Sequence, residues 1–250
     1  YMHLGRSYEV RELDLARRRA LVAPFDGDWY TQPKRETETE IARLLDRRET
    51  LGVTLSFGEV SVTDTVLAYQ RRRLADHAQV DIVALDLPST SFPTQALWFE
   101  LEIADPGHTA ARAGSGELAE TLPLETLLGA LHATEHAQIA VLPLIAMCDR
   151  WDIGGLSTNF HPQTGNPTIF LYDGHPGGIG IARTAFARFE ELCRDALRLI
   201  AECPCSSGCP SCVQSPKCGN LNEPLSKAGA HVLLARLLAA ASEPAIAAPL

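Results

Sequence analysis

The chain has 250 residues, 46% hydrophobic and 21% charged, an ordinary globular balance with length enough for one large domain or two modest ones. Its formal net charge of −9 is the wrong sign for an autonomous nucleic-acid binder, so any DNA contact must come from local patches or from a partner. No run of about 20 apolar residues is present to cross a membrane as a helix, and no basic segment leads into an apolar one as in a secretion signal.

The chain opens directly on YMHLGRSYEV, already strand-like, and reads as a piece of something longer. Residues 1–105 are expected to be β-rich. In RSYEVRELDL, Tyr8, Val10 and Leu13 fall on one side with charges on the other; RRRALVAPF reads as the return strand, and ELDLARRRA as the hairpin loop between them. GDWYTQPKRETETEIARLL has an aromatic pair and then a charged segment that reads as a short helix. GVTLSFGEVSVTDTVLAYQRRR, rich in Val and Thr, gives one or two strands. VDIVALDLP and QALWFELEI complete the set, and short strands at fairly even spacing predict a small barrel or sandwich.

Residues 106–120 form the expected linker, punctuated by Pro106, Gly107, Gly114, Ser115 and Gly116 with no apolar period. From 121 to 250 the character changes to α/β. LPLETLLGALHATEHAQIAVLPLIAM predicts a long apolar helix that Pro143 kinks or ends. NPTIFLYDG predicts a buried strand closed by a glycine turn. HPGGIGIARTAFARFEELCRDALRLIAEC starts glycine-rich and becomes an amphipathic helix, with Ile181, Phe186, Phe189, Leu192, Leu197 and Ile200 on one broad face. LSKAGAHVLLARLLAAA is the last helix and SEPAIAAPL a loose tail. The expected fold class is α+β: a β-rich N-terminal part followed by an α/β domain that carries a metal site.

Two stretches ask for zinc. Five of the seven cysteines crowd into residues 203–218, at metal-ligand spacing and without a secretory signal, which favours a metal site in a reducing compartment over a disulfide scaffold. Cys203 and Cys205 form one close pair, Cys209 and Cys212 a second, and Gly208 and Pro210 bend the backbone between and within them. Cys218 is a fifth candidate that stands in for Cys203 or Cys205 in the alternative set. Cys148 and Cys193 lie in apolar helical segments and read as buried thiols.

The second stretch is HATEH, residues 132–136, with the H-x-x-E-H spacing of an inverted zinc-protease motif. On a helix His132 and His136 share a face, with Glu135 beside them, and a third ligand would have to come from Glu190 or Glu191. The apolar flanks LLGAL and IAVLPLIAM favour instead a buried helix whose histidines are hydrogen-bonded.

Three further groups are polar candidates. YDGHPGGIG is a strand-to-helix turn whose amides can hold an anion, with Asp173 and His175 placed to pair across it; its spacing fits neither the Walker nor the dinucleotide pattern. Asp149, Arg150, Asp152 and His161 are candidates for a buried ion-pair network with that turn. Trp29 and Tyr30, with Arg71, Arg72 and Arg73, combine stacking surfaces and phosphate-binding charge, the pattern used on single-stranded nucleic acid.

HATEHAQIAVLPLIAMCDRWDIGGLST, TIFLYDGHPGGIGIA and CPCSSGCPSCVQSPKCGN, in that order, resemble the C-terminal zinc-binding domain of the mitomycin-repair (MrfA-like, YprA-like) helicases, which are superfamily II DEAD/DEAH-type DNA helicases. The segment from GRSYEVRELDL through DWYTQPKRE is similar to the region just before that domain. The resemblance implies an ATP-dependent 3′-to-5′ DNA helicase of DNA repair, monomeric and located in the bacterial cytosol or nucleoid. It implies a structural Zn2+ on Cys203, Cys205, Cys209 and Cys212, single-stranded DNA as partner within the full helicase, and motor domains in cis. The chain itself holds neither G-x-x-x-x-G-K-[ST] nor a DEAD or DEAH box, so ATP and Mg2+ belong to motor domains outside it and the chain alone is expected to be inactive. Two rival expectations are a zinc hydrolase that depends on Glu135 and a pure protein-interaction module, the latter kept in play by the acidic charge.

Overall fold

The computed structural model describes residues 1–101 and 124–240. The expected linker at 106–120 and the tail from Ser242 lie outside the described residues. Two compact units are present, Tyr1–Lys34 with Val66–Asp86, and Arg35–Thr65 with Leu87–Leu250. This is a different division from one between residues 105 and 121, because strands from both sides of the expected linker share one sheet.

In the first unit β1 (Met2–His3), β2 (Arg6–Asp14) and β3 (Arg19–Pro24) form an antiparallel three-stranded sheet. The hairpin falls where the sequence places it, with Arg18 at φ +52° in the turn. No side chain between residues 1 and 34 is buried, and Val10 and Leu13 stay about half exposed. This sheet is therefore held by its backbone ladder rather than by a core.

β4 (Trp29–Thr50) and β5 (Val53–Arg73) contribute a segment to each unit. The charged segment expected as a short helix is part of β4. Glu, Arg and Leu bias RETETEIARLL toward helix, but its alternation has period two. Arg35, Thr37, Thr39 and Ile41 turn inward while Glu36, Glu38 and Glu40 are exposed. A two-residue turn at Leu51 and Gly52, both at positive φ, joins β4 to β5 in the way favoured for tight hairpins. β6 (Gln79–Ala84) pairs with the far end of β5.

In the second unit the strands do not close on themselves. β5 pairs with β7 (Thr90–Glu100), which pairs on its other side with β9 (Thr168–Asp173), and β9 with β8 (Ile153–Thr158). The sheet is an open path, β4-β5-β7-β9-β8. Alternate residues serve two cores. Leu97, Phe99, Ile169 and Leu171 join the helices, whereas Ala96, Trp98, Phe170 and Tyr172 form a smaller cluster on the opposite face. Burial on both faces goes with the unbroken apolar run IFLY of β9.

Among the described residues four α-helices complete the α+β fold: α1 (Leu124–Ala146), α2 (Ile181–Ala187), α3 (Phe189–Glu202) and α4 (Lys227–Ala240). α1 packs against α3, α4 and β8, so it is apolar nearly all round. Pro143 neither kinks it into two elements nor ends it at once; the helix runs to Ala146 and stops at Met147, at φ +50°. The expected single amphipathic helix is two, broken at Arg188, while Ile181, Phe186, Phe189, Leu192 and Ile200 are all buried as the pattern requires. Cys193 is buried; Cys148 lies just past the end of α1 and is only half-buried.

Candidate metal centre

The chain between α3 and α4 has turns but no regular element. Four of its five sulfurs converge: Cys203 to Cys205 3.6 Å, Cys203 to Cys209 3.5 Å, Cys205 to Cys212 3.5 Å and Cys209 to Cys212 3.8 Å. A disulfide would bring two sulfurs to about 2.05 Å, and all seven cysteines are free. Four thiolates at about 2.3 Å from one tetrahedral zinc stand about 3.8 Å apart. The donor set and its spacing therefore fit zinc.

Local chemistry prepares the cluster. Gly208 sits at φ +117°, and a Cβ there would come within 2.6 Å of Val213, so only glycine makes this turn. The Cys209 N–H points at Cys212 Sγ (3.4 Å), a contact that favours thiolate. Lys227, the first residue of α4, donates to the carbonyls of Cys203 (2.7 Å) and Cys205 (2.6 Å) and to Cys205 Sγ (3.3 Å). Burial opposes ionisation of Cys205, but hydrogen bonds from Cys212, Cys203 and Lys227 outweigh it and draw its pKa down to about 6. Burial, with contacts from the Cys205, Cys203 and Cys209 sulfurs and against the Cys209 amide, pushes Cys212 up to about 12.

Cys218 takes no part in this cluster. Its sulfur lies 3.3 Å from His132 Nε2, in a separate group with His136. HATEH forms part of the buried face of α1 and holds the cysteine loop. His132 Nδ1 donates to the Pro224 carbonyl (2.9 Å) and His136 Nδ1 to the Val213 carbonyl (2.7 Å). Burial lowers the pKa of both rings, His136 to about 3, so both are neutral. Glu135 is buried among Gly155, Ser157 and Lys217, and burial raises it to about 7. Neither Glu190 nor Glu191 comes to these histidines: Glu190 pairs with Arg48 at 2.5 Å and Glu191 with Arg188 at 2.5 Å.

The turn after β9 needs no outside anion. The Asp173 carboxylate accepts the amides of Ile179 (2.5 Å), Gly180 (2.7 Å) and Ala182 (2.6 Å), filling the site itself. His175 does not pair with Asp173; it meets Asp152 at 2.9 Å, and this pair is half exposed rather than buried. Asp149 and Asp152 cap a short 3-10 turn reciprocally, while the Arg150 carbonyl accepts from Lys217. His161 joins none of these groups and instead contacts the Thr39 carbonyl at 2.9 Å. Lys217 and Lys227 are functional-looking residues that the spacing of the sequence does not announce.

The aromatic and basic candidates all fall in the first unit. Arg71 lies over the Trp29 ring at 5.2 Å and pairs with Asp81. Tyr30 contacts His77 at 3.2 Å, Arg72 donates to the His77 carbonyl at 2.7 Å, and Arg73 reaches Asp76 at 3.4 Å. Arg73 is exposed; Trp29, Tyr30, Arg71 and Arg72 are half-buried.

A family model described as the MrfA Zn-binding domain matches residues 134–213, a span that takes in all four clustered cysteines. Protein MJ1572.1 of Methanocaldococcus jannaschii is 38% identical over 111 residues, 43% of this chain and 99% of that protein. The chain belongs to the MrfA zinc-binding family. The ATP-dependent helicase YprA of Bacillus subtilis (strain 168) is 31% identical over 213 residues, 85% of this chain and 27% of YprA. A crystal structure of the DUF1998 helicase MrfA bound to DNA superposes with a TM-score of 0.62 at 28% identity, covering 95% of this chain and 29% of MrfA. This MrfA-type chain thus spans about a quarter of the length of the helicases it matches, and is a helicase-associated zinc module.

Proposed function

We propose that the chain is the C-terminal accessory part of an ATP-dependent 3′-to-5′ DNA helicase of DNA repair, and that it lines part of the path of the translocated strand. The observation that carries this reading is the set of four converging sulfurs within a span that matches the MrfA zinc-binding domain. Cys203, Cys205, Cys209 and Cys212 would hold the zinc. Zinc there supplies rigidity and no reaction, because a closed four-thiolate site leaves no position for water. Lys227 offsets part of the thiolate charge, and His132 and His136 pin the loop to α1 at Pro224 and Val213.

ATP and Mg2+ act in motor domains outside this chain, in cis, and the helicase works as a monomer in the bacterial cytosol. Trp29 and Tyr30 supply stacking surfaces, and Arg71, Arg72 and Arg73 supply charge toward single-stranded DNA. In the full helicase, Trp29→Ala is expected to weaken single-strand binding about tenfold, the order expected from losing one base–aromatic stack. Arg73→Ala should lower the salt dependence of binding by about one unit of slope. Unchanged affinity and salt slope in both variants would remove the strand assignment and leave a protein-interaction module.

A further inference from the structure

His132 of HATEH and Cys218, the fifth cysteine of the loop, are 86 residues apart in sequence and meet in the fold. One ligand atom from each of His132, His136 and Cys218 lies within 4.8 Å of the other two. His132 Nε2 and Cys218 Sγ are 3.3 Å apart. Zinc with nitrogen at about 2.0 Å and sulfur at about 2.3 Å separates such a tetrahedral pair by about 3.5 Å. Both rings are oriented as metal-bound imidazoles usually are. Each Nδ1–H is committed to a backbone carbonyl, Pro224 for His132 and Val213 for His136, which fixes the tautomer and leaves each Nε2 unprotonated, that of His132 facing the Cys218 sulfur.

We propose that His132, His136 and Cys218 form a second zinc site, distinct from the four-cysteine cluster. Two imidazoles and one thiolate are a borderline-soft set that suits zinc among the available divalent ions. On binding, the metal takes the sulfur lone pair of Cys218 and the thiol proton leaves to solvent. Three protein ligands leave a fourth position, and the three residues line a cavity of about 470 Å³ that Glu135 and Lys217 also line. Water or a small anionic ligand would complete the coordination from that side. The Glu135 carboxylate is not among the converging ligand atoms. The metal would clamp the end of the cysteine loop to α1, next to the hydrogen bonds that already hold it.

The test is metal content and X-ray absorption on the whole chain after equilibration with micromolar zinc. Two zincs per chain are expected, with five sulfurs to two nitrogens in the combined first shell. Cys218→Ser should reduce this to one zinc with sulfur ligands only. One zinc per wild-type chain with a pure sulfur shell would overturn the second site and leave the four-cysteine site standing. One zinc with a mixed shell of two nitrogens and one sulfur would instead overturn the four-cysteine site. The wild-type measurement decides even where the variant fails to fold.

Discussion

Lys227 shows how much of a metal site lies outside its ligands. Its ammonium group ties two loop carbonyls and one sulfur to the start of α4. Outer partners of this kind commonly contribute 10–100-fold in metal affinity. Lys227→Met is therefore expected to weaken zinc binding roughly tenfold, read by competition with a chromophoric chelator; an unchanged affinity would show that the lysine serves only the backbone. Gly208→Ala should destabilise the loop by about 1–3 kcal/mol in urea unfolding, from left-handed strain together with the Val213 contact. A variant as stable as the parent would mean the turn is freer than its φ of +117° implies. The two cysteine pairs were legible in sequence because each is local. Lys227 and the meeting of Cys218 with His132 were not, because their partners come from other elements.

Among the elements, β4 separates composition from pattern. Its residues favour helix, and its period is that of an edge strand with glutamates outward. The loop after β8 covers that edge. Gln163 donates to the Ile41 carbonyl at 3.0 Å and accepts the Ile41 amide at 2.7 Å, standing in for a strand neighbour. Gln163→Ala should cost about 1 kcal/mol and speed amide exchange at Ile41; unaltered exchange would assign the protection elsewhere. The tip of the same hairpin is tied to α3. Arg48 holds Glu190 down to about 2, against burial and with help from Thr50. A carboxylate depressed in the folded state stabilises above its unfolded value of 4.5, and that stability is lost as pH falls through about 2. The pair is about one-third exposed, so screening limits its contribution to about 1 kcal/mol. Glu190→Gln should lose about that much at pH 7 and flatten the acid limb of the stability profile; an acid limb identical to wild type would contradict the assignment. Tail-to-head sheet order was not legible either: nothing in QALWFELEI says that its free edge takes TIFLYD, since strand pairing across an intervening helix leaves no local mark.

For the whole molecule, the fold class and the presence of a zinc domain followed from pattern and resemblance, whereas the division into units did not. Strands on both sides of residues 106–120 build one sheet, so the interruption in sequence is not a boundary in structure. Under the proposed function, the acidic balance of the chain leaves most of the electrostatic attraction to DNA to the partner domains. In the same reading, zinc on four thiolates organises the loop between α3 and α4. The most direct test uses Cys218→Ser, which isolates the four-cysteine cluster, and follows zinc release while a mercurial reagent titrates the thiols. One zinc per chain is expected, released completely as the loop cysteines react. No bound zinc, or zinc that remains after every thiol is blocked, would contradict it.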